Sequence, residues 1–312
     1  MPGERIASLL ASATEIVCGL GLGDRLVAVS HECDYPPEVT SKPRVTFTTI
    51  DAEQSSASID EQVKACMRSG RPLYEIDVET LASLGPDLIV TQSQCDVCAV
   101  EYNDVVKVVR TVDALGQTEI VDLNPVSLED IFRDIERVGV AVGCVDRAGD
   151  YVAALKARVE AVRSAISDVS PGNRPRVVCI EWTEPLMVAA NWLPELIDVA
   201  GGRCTITTSG QPSTRTDWGD VVAFDPEVIV VMPCGFDLVR SEAEVQTLRR
   251  RPGWSDLAAV RTDRVWAVDG NAYFNRSGPR IVDSLEILAC LFHPDRFHPP
   301  ETSGKEPPWT TI

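Results

Sequence analysis

Asp77–Val90 reads DVETLASLGPDLIV, and Asp217–Val230 reads DWGDVVAFDPEVIV. The two stretches align without a gap. Pro86 matches Pro226, Asp87 matches Glu227, and Leu88-Ile89-Val90 matches Val228-Ile229-Val230. Each reads as a helix, a proline-marked turn and a short buried strand. The segments that open each half also correspond: Arg5–Glu15, RIASLLASATE, and Arg176–Glu184, RVVCIEWTE. Both run a strand into a loop that ends Thr-Glu. Two similar α/β lobes follow from this repeat.

Between the repeats lies Asp146–Val169, DRAGDYVAALKARVEAVRSAISDV. Val152, Leu155, Val159, Val162, Ile166 and Val169 recur at spacings of three and four, which places them on one stripe of an α-helix. At 1.5 Å per residue this helix spans roughly 36 Å, about the width of a domain. The fold class is therefore α/β: two Rossmann-like lobes joined by one long helix, with a ligand cleft between them. Residues 1–143 form the first lobe, 144–170 the connecting helix, 171–298 the second lobe and 299–312 a flexible tail.

Composition narrows the function. The chain has 312 residues and is 44% apolar, enough to fill two cores. A net charge of −18 removes the basic face that nucleic-acid binding needs. The N-terminus lacks a basic region before its apolar run and carries Glu4 and Glu15, so it does not read as a signal peptide. Ten cysteines without an export signal point to a reducing compartment, and the expected location is cytoplasmic.

The strands expected in the first lobe are Ile6–Leu10, Leu26–Ser30, Leu88–Thr91 and Ile120–Leu123. Thr46–Ser58 reads as a polar loop and Ile59–Ser69 as a helix. The second lobe offers strands at Val177–Ile180, Ile229–Met232 and Val265–Val268. Open α/β sheets bind ligands at the carboxyl ends of their strands. Those ends place Thr14, Glu15, His31, Glu32, Tyr35 and Gln92 in the first lobe's site. The second lobe supplies Glu181, Trp182, Trp192, Phe236, Tyr273, Phe274 and Arg276. Flat rings offer area to a large ligand, and a few polar groups orient it.

Cysteines crowd the same loops. Cys95 and Cys98 form a C-x-x-C, and Cys33 and Cys234 also follow expected strands. Together the four match the ligand count of a tetrahedral zinc or iron site. The pair also reads as a redox dithiol or as two small turn residues.

The motifs SLLASATEIVCGLG, SHECDYP, LASLGPDLIV and NAYFNRSGPRIV resemble the periplasmic-binding-protein-like family for cobalamin and iron–siderophore complexes. The resemblance covers about residues 5–294. QCDVCAV, MPCGFD and DGNAYFNRSGPR resemble a subgroup without an export signal. The resemblance implies a non-enzymatic binding protein whose aromatic residues wrap a corrinoid, with cobalamin first among candidates. His31 reads either as a hydrogen-bonded loop histidine or as an axial donor to cobalt or haem iron, since imidazole Nε2 is a standard axial nitrogen. The missing export signal argues against a membrane ABC transporter as partner. Two alternatives stay open: a thiol- or zinc-dependent enzyme centred on Cys95 and Cys98 with Glu32 or Glu181 as general base, and a metal-ion carrier.

Overall fold

The computed structural model describes residues 3–94, 99–298 and 307–312. The chain divides into two compact units. Unit 1 takes Met1–Gln54, Glu61–Pro125 and Glu129–Ala154; unit 2 takes Ser55–Asp60, Val126–Leu128 and Leu155–Ile312.

Unit 1 begins β1 (Ile6–Ser8), α1 (Ala11–Gly19), β2 (Leu26–Val29), β3 (Thr46–Thr48), α2 (Ser56–Ser69, whose first residues to Asp60 belong to unit 2) and β4 (Tyr74–Ile76). It continues α3 (Val78–Leu84), β5 (Leu88–Gln92), α4 (Tyr102–Thr111), β6 (Glu119–Leu123), α5 (Leu128–Ala141) and α6 (Val145–Ala165). The sheet order is β2-β1-β5-β6, and every pairing is parallel. Parallel sheets covered on both faces read as continuous apolar runs. β5 fits that description, being buried along its whole length. Its partners in the core include Ala7, Leu9, Ala28, Leu81 and Val105.

Two expectations for this half are corrected. Ala11–Glu15 is the first part of α1 and not a loop. Ala11, Ala13 and Glu15 are good helix formers, and the turn is buried from Ala11 to Val17. Thr46–Thr48 is not loop either. It pairs antiparallel with β4, Thr46 opposite Ile76 and Thr48 opposite Tyr74. A threonine–aromatic–threonine triplet suits a pleated, half-exposed ribbon.

Unit 2 holds β7 (Val177–Thr183), β8 (Leu186–Val188), α7 (Leu193–Val199), α8 (Trp218–Phe224), β9 (Val228–Val231) and α9 (Leu238–Arg249). After these come α10 (Ala258–Arg261), β10 (Val265–Val268), α11 (Ile281–Phe292) and β11 (Trp309–Thr311). The order is β11-β10-β9-β7-β8. The three inner strands are parallel, and the two edges are antiparallel. Within the stretch expected as a flexible tail, Trp309–Thr311 is therefore an ordered edge strand on β10.

The repeated segment has one construction in both units. The carboxylate of Asp77 accepts the Thr80 N–H at 2.9 Å and caps α3; that of Asp217 accepts the Gly219 N–H at 2.8 Å and caps α8. Both helices end on a left-handed residue, Gly85 at φ 51° and Asp225 at φ 47°. The strand then starts by donating two N–H groups to one carbonyl. Asp87 and Leu88 donate to Arg5, and Glu227 and Val228 donate to Arg176. Each of those arginines returns its side chain to the end of the preceding helix, Arg5 Nε to Leu84 O at 3.1 Å and Arg176 Nε to Asp225 O at 2.6 Å.

α6 is continuous from Val145 to Ala165, one turn shorter than its apolar stripe suggests. Val152, Leu155, Val159 and Val162 are buried. The division between the units falls inside it, between Ala154 and Leu155. Arg158 ties its second half to α11 through Asp283 and Glu286, each at 2.6 Å. Arg296 donates to Ala165 O at 3.1 Å and satisfies a carbonyl that the helix end leaves open. The same device closes α11, whose Leu291 and Phe292 carbonyls accept from Arg264.

Candidate functional site

In unit 1 the carboxyl ends of β1 and β2 bring Ser8, Thr14 and Cys33 into one hydrogen-bonded group, and His31 into a second one on Thr46. The Thr14 hydroxyl donates to Ser8 Oγ at 2.8 Å and lies 3.0 Å from the Cys33 sulfur; Thr14 and Cys33 are fully buried. The Thr46 hydroxyl oxygen accepts the His31 backbone N–H at 3.1 Å and lies 2.8 Å from Nδ1. The segment that leads into β3 runs beside the end of β2 and brings Thr46 there, with Val29 N–H donating to Pro43 O at 2.9 Å and Val45 N–H to Val29 O at 3.0 Å. The His31 ring also leans on Tyr74, with centroids 5.4 Å apart. Burial, with help from the Arg44 charge, lowers the His31 pKa, so the imidazole is neutral at pH 7. Nε2 lies 3.9 Å from a Glu32 carboxylate oxygen. Gln92 and Glu15 are buried, whereas Tyr35 is 44% exposed.

Unit 2 sorts its aromatic residues into two kinds. Trp182 and Tyr273 are half-buried. Trp192, Phe236 and Phe274 are buried, Phe274 completely. Trp182 meets Phe236 edge-on at 5.4 Å, and the Arg240 guanidinium lies 3.7 Å above the Phe236 ring. Glu181 accepts the Cys234 N–H on its backbone carbonyl at 3.1 Å, which joins the ends of β7 and β9. Arg276 is buried and donates to Asn271 Oδ1 at 3.1 Å. Arg280 sits 5.4 Å over the Tyr273 ring.

The loop 269–276 carries much of this. Asp269 Oδ1 accepts the Ala272 N–H at 2.7 Å, and Asn271 N donates to Phe236 O at 2.9 Å. Asn275 Nδ2 donates to both Met232 O and Gly270 O at 2.9 Å. Burial raises the Asp269 pKa against the Ala272 hydrogen bond. Sequence reasoning does not single out Asp269, Asn275, Arg240 or Arg280. The first two do carry a signal: an Asp and an Asn bracketing a loop between a buried strand and a helix are turn-forming residues.

Of the four cysteines, Cys95 and Cys98 lie outside the described residues. Cys33 is buried and Cys234 is exposed. Among the described residues no group of three or more histidine, cysteine or acidic side chains is arranged to hold a metal ion. Burial pushes the Cys18 and Cys290 thiols up to about 11 and also raises Cys179 well above the ordinary thiol value, so none of these three is a nucleophile near neutral pH. No helix among the described residues is long and apolar enough to cross a membrane.

This chain is similar to an uncharacterised ABC transporter substrate-binding lipoprotein, YvrC, of Bacillus subtilis (strain 168). The two are 26% identical over 298 residues, 94% of this chain and 81% of the relative. A vitamin B12-binding protein of Vibrio cholerae is also 26% identical, over 93% of this chain and 89% of its own length. Among solved structures, the periplasmic heme-binding protein RhuT from Roseiflexus sp. RS-1 matches with a TM-score of 0.69 at 23% identity, covering 94% of this chain and 98% of that one. The periplasmic vitamin B12-binding protein BtuF of Vibrio cholerae matches with a TM-score of 0.65 at 23% identity, covering 93% and 97%. At that identity the structures speak for the two-lobe α/β fold. The relatives are lipoprotein or periplasmic, which overturns the cytoplasmic expectation and points outside the cytoplasm. They are binding proteins, which sets aside the thiol- or zinc-dependent enzyme. The family model described as periplasmic binding protein matches residues 6–272, and the chain belongs to that family as a non-enzymatic solute-binding protein.

Proposed function

We propose that this protein binds a corrinoid, cobalamin first, and delivers it to a membrane ABC transporter. The observation that carries the reading is its likeness, over nearly its whole length, to a protein named for binding vitamin B12. The lipoprotein relative named as an ABC transporter substrate-binding protein supports the transporter partner. Nucleic acid is not a partner of a chain with net charge −18.

The strand-end residues divide by role. Tyr35, Trp182 and Tyr273 keep exposed or half-buried rings and supply contact area for the corrin. Thr14, Glu15, Glu32, Gln92, Glu181 and Arg276 supply polar groups that orient it. Phe236, Phe274 and Trp192 are buried and support those contacts from behind. His31 is neutral, its Nδ1 lies against Thr46, and its Nε2 is the nitrogen suited to an axial cobalt bond.

The test is titration of the purified protein with aquocobalamin, with haemin and a ferric siderophore as separate arms. Cobalamin should quench tryptophan fluorescence, and Trp182→Ala should weaken binding by about 1–3 kcal/mol. Imidazole ligation should shift the cobalamin visible spectrum, and His31→Ala should remove that shift. No quenching and no heat with any corrinoid discards the proposal, and saturable haemin binding in its place would reassign the ligand.

A further inference from the structure

Trp192 stands out among the aromatic residues because its polar handle is spent inside unit 2. The indole Nε1–H donates to the Phe274 carbonyl at 2.8 Å. Phe274 itself is fully buried and sits at φ 53°, a left-handed conformation that bulky residues seldom adopt. Its N–H donates to the Ser284 hydroxyl oxygen at 2.9 Å, and Ser284, on α11, is fully buried. Both backbone polar groups of the strained residue are thus held, one from each side. Its neighbours are Tyr273, half-buried, and Asn275, whose amide spans Met232 O and Gly270 O. Strain of this kind persists only where the surroundings over-determine it.

We infer that Trp192 and Ser284 are positioning residues that fix the 271–276 loop, and through it the ligand-facing geometry of Tyr273 and Arg276. The inference rests on the reading that these two residues meet the ligand. It differs from a stacking role for Trp192. A stacking tryptophan acts through its ring face, whereas a strap acts through its N–H. An unfixed loop relaxes towards ordinary φ values at Phe274, and binding then has to restore the strained form first.

Trp192→Phe keeps a buried ring and deletes the donor. Ser284→Ala deletes the acceptor at a site buried away from any ligand. Two readouts are taken on both variants and on wild type: aquocobalamin affinity, and backbone amide exchange across residues 272–276 in the ligand-free protein. Each variant should weaken cobalamin binding about five- to tenfold, the size of one buried hydrogen bond, and should speed exchange in the loop with the melting transition retained. The double variant should lose less than the product of the two, because the loop is released once. If Trp192→Phe binds like wild type while Trp192→Ala is weaker, the ring is a contact and the strap is overturned. Unchanged exchange in both variants also overturns it. Wild type that binds no corrinoid removes the proposed function, and the exchange measurement then tests the strap by itself: faster exchange in both variants supports it and unchanged exchange overturns it.

Discussion

Asp77–Val90 in unit 1 and Asp217–Val230 in unit 2 repeat not only in sequence but in burial. Leu81 and Val221, Pro86 and Pro226, and the two apolar triplets are buried in the same order. The chain diverges on either side of them. In unit 1, β1 leads through α1 to β2, which returns parallel. In unit 2, β7 runs on to Thr183 and folds straight back into antiparallel β8. The far edges differ too. By sheet order β6 corresponds to β10, yet β10 is covered by β11 while β6 ends its sheet. What repeats is what a short local sequence can encode alone: a cap, a left-handed stop and a buried triplet. What differs depends on distant partners.

The largest expected effect concerns those edges. Beside β6, α5 buries Asp134, which is 2% exposed and has one carboxylate oxygen without a partner among the described residues. Arg137 pairs with its other oxygen at 3.0 Å and also holds the Asp122 carbonyl. Burial dominates: it raises the Asp134 pKa from 3.8 to about 7 against the pull of Arg137, with Asp130 and Asp122 adding to the rise. A carboxyl with a raised folded pKa stabilises fully below its unfolded pKa and loses that contribution as pH climbs through the folded one. Wild type should lose up to about 4 kcal/mol between pH 4 and pH 8 from this group, at 1.36 kcal/mol per pH unit. Asp134→Asn should flatten that part of the slope in urea unfolding series. An unaltered slope would mean that the edge is held by something other than this protonated carboxyl.

A middle-sized effect sharpens the repeat itself. Asp87 and Glu227 match in sequence but not in the number of donors they hold. The Asp87 carboxylate accepts three backbone N–H groups, from Gly3, Glu4 and Arg5, at 2.9–3.2 Å. Glu227 accepts one backbone N–H, from Arg176 at 2.9 Å, and adds only a looser, part-exposed ion pair to the Arg176 guanidinium at 3.6 Å. Asp87→Ala should therefore cost about 2–3 kcal/mol and Glu227→Ala about 1 kcal/mol. Equal losses in chemical unfolding would break the correlation between stability and the number of donors.

Much of this organisation is legible in the sequence. The repeat, the α6 stripe and the inner strands all show themselves through runs of buried residues. Among the three-residue strands, β1 shows itself because it opens the longer apolar run Ile6–Leu10, whereas β3, β4, β8 and β11 do not, because a triplet without such a run carries no measurable period and its partner lies elsewhere in the chain. Strand ends locate the candidate site loops, but not which ring is covered. Trp182 and Trp192 read alike, and only tertiary packing makes one half-buried and the other a donor to Phe274. Asp134 does carry a signal in the sequence. It lies three residues after Ile131 and four before Val138, on the buried stripe of α5.

The smallest effect tests how the two units stop the same helix. Gly85 and Asp225 occupy matching left-handed positions after α3 and α8. A Cβ on Gly85 would meet nothing nearer than Ala82 O at 4.0 Å, so Gly85→Ala carries only the backbone cost of a left-handed residue, about 1 kcal/mol. Gly85→Asn should cost less, since asparagine tolerates that region. Asp225 offsets the same backbone cost with its side chain. Oδ1 accepts the Ala258 N–H at 2.8 Å and Oδ2 the Arg176 guanidinium at 3.2 Å. Asp225→Gly relieves the backbone and loses both bonds, and the net should be a loss of about 1 kcal/mol. Thermal unfolding of the three variants decides it. If Asp225→Gly stabilised the protein, the side-chain bonds would be worth less than the strain they accompany, and the two stops would differ only in residue name.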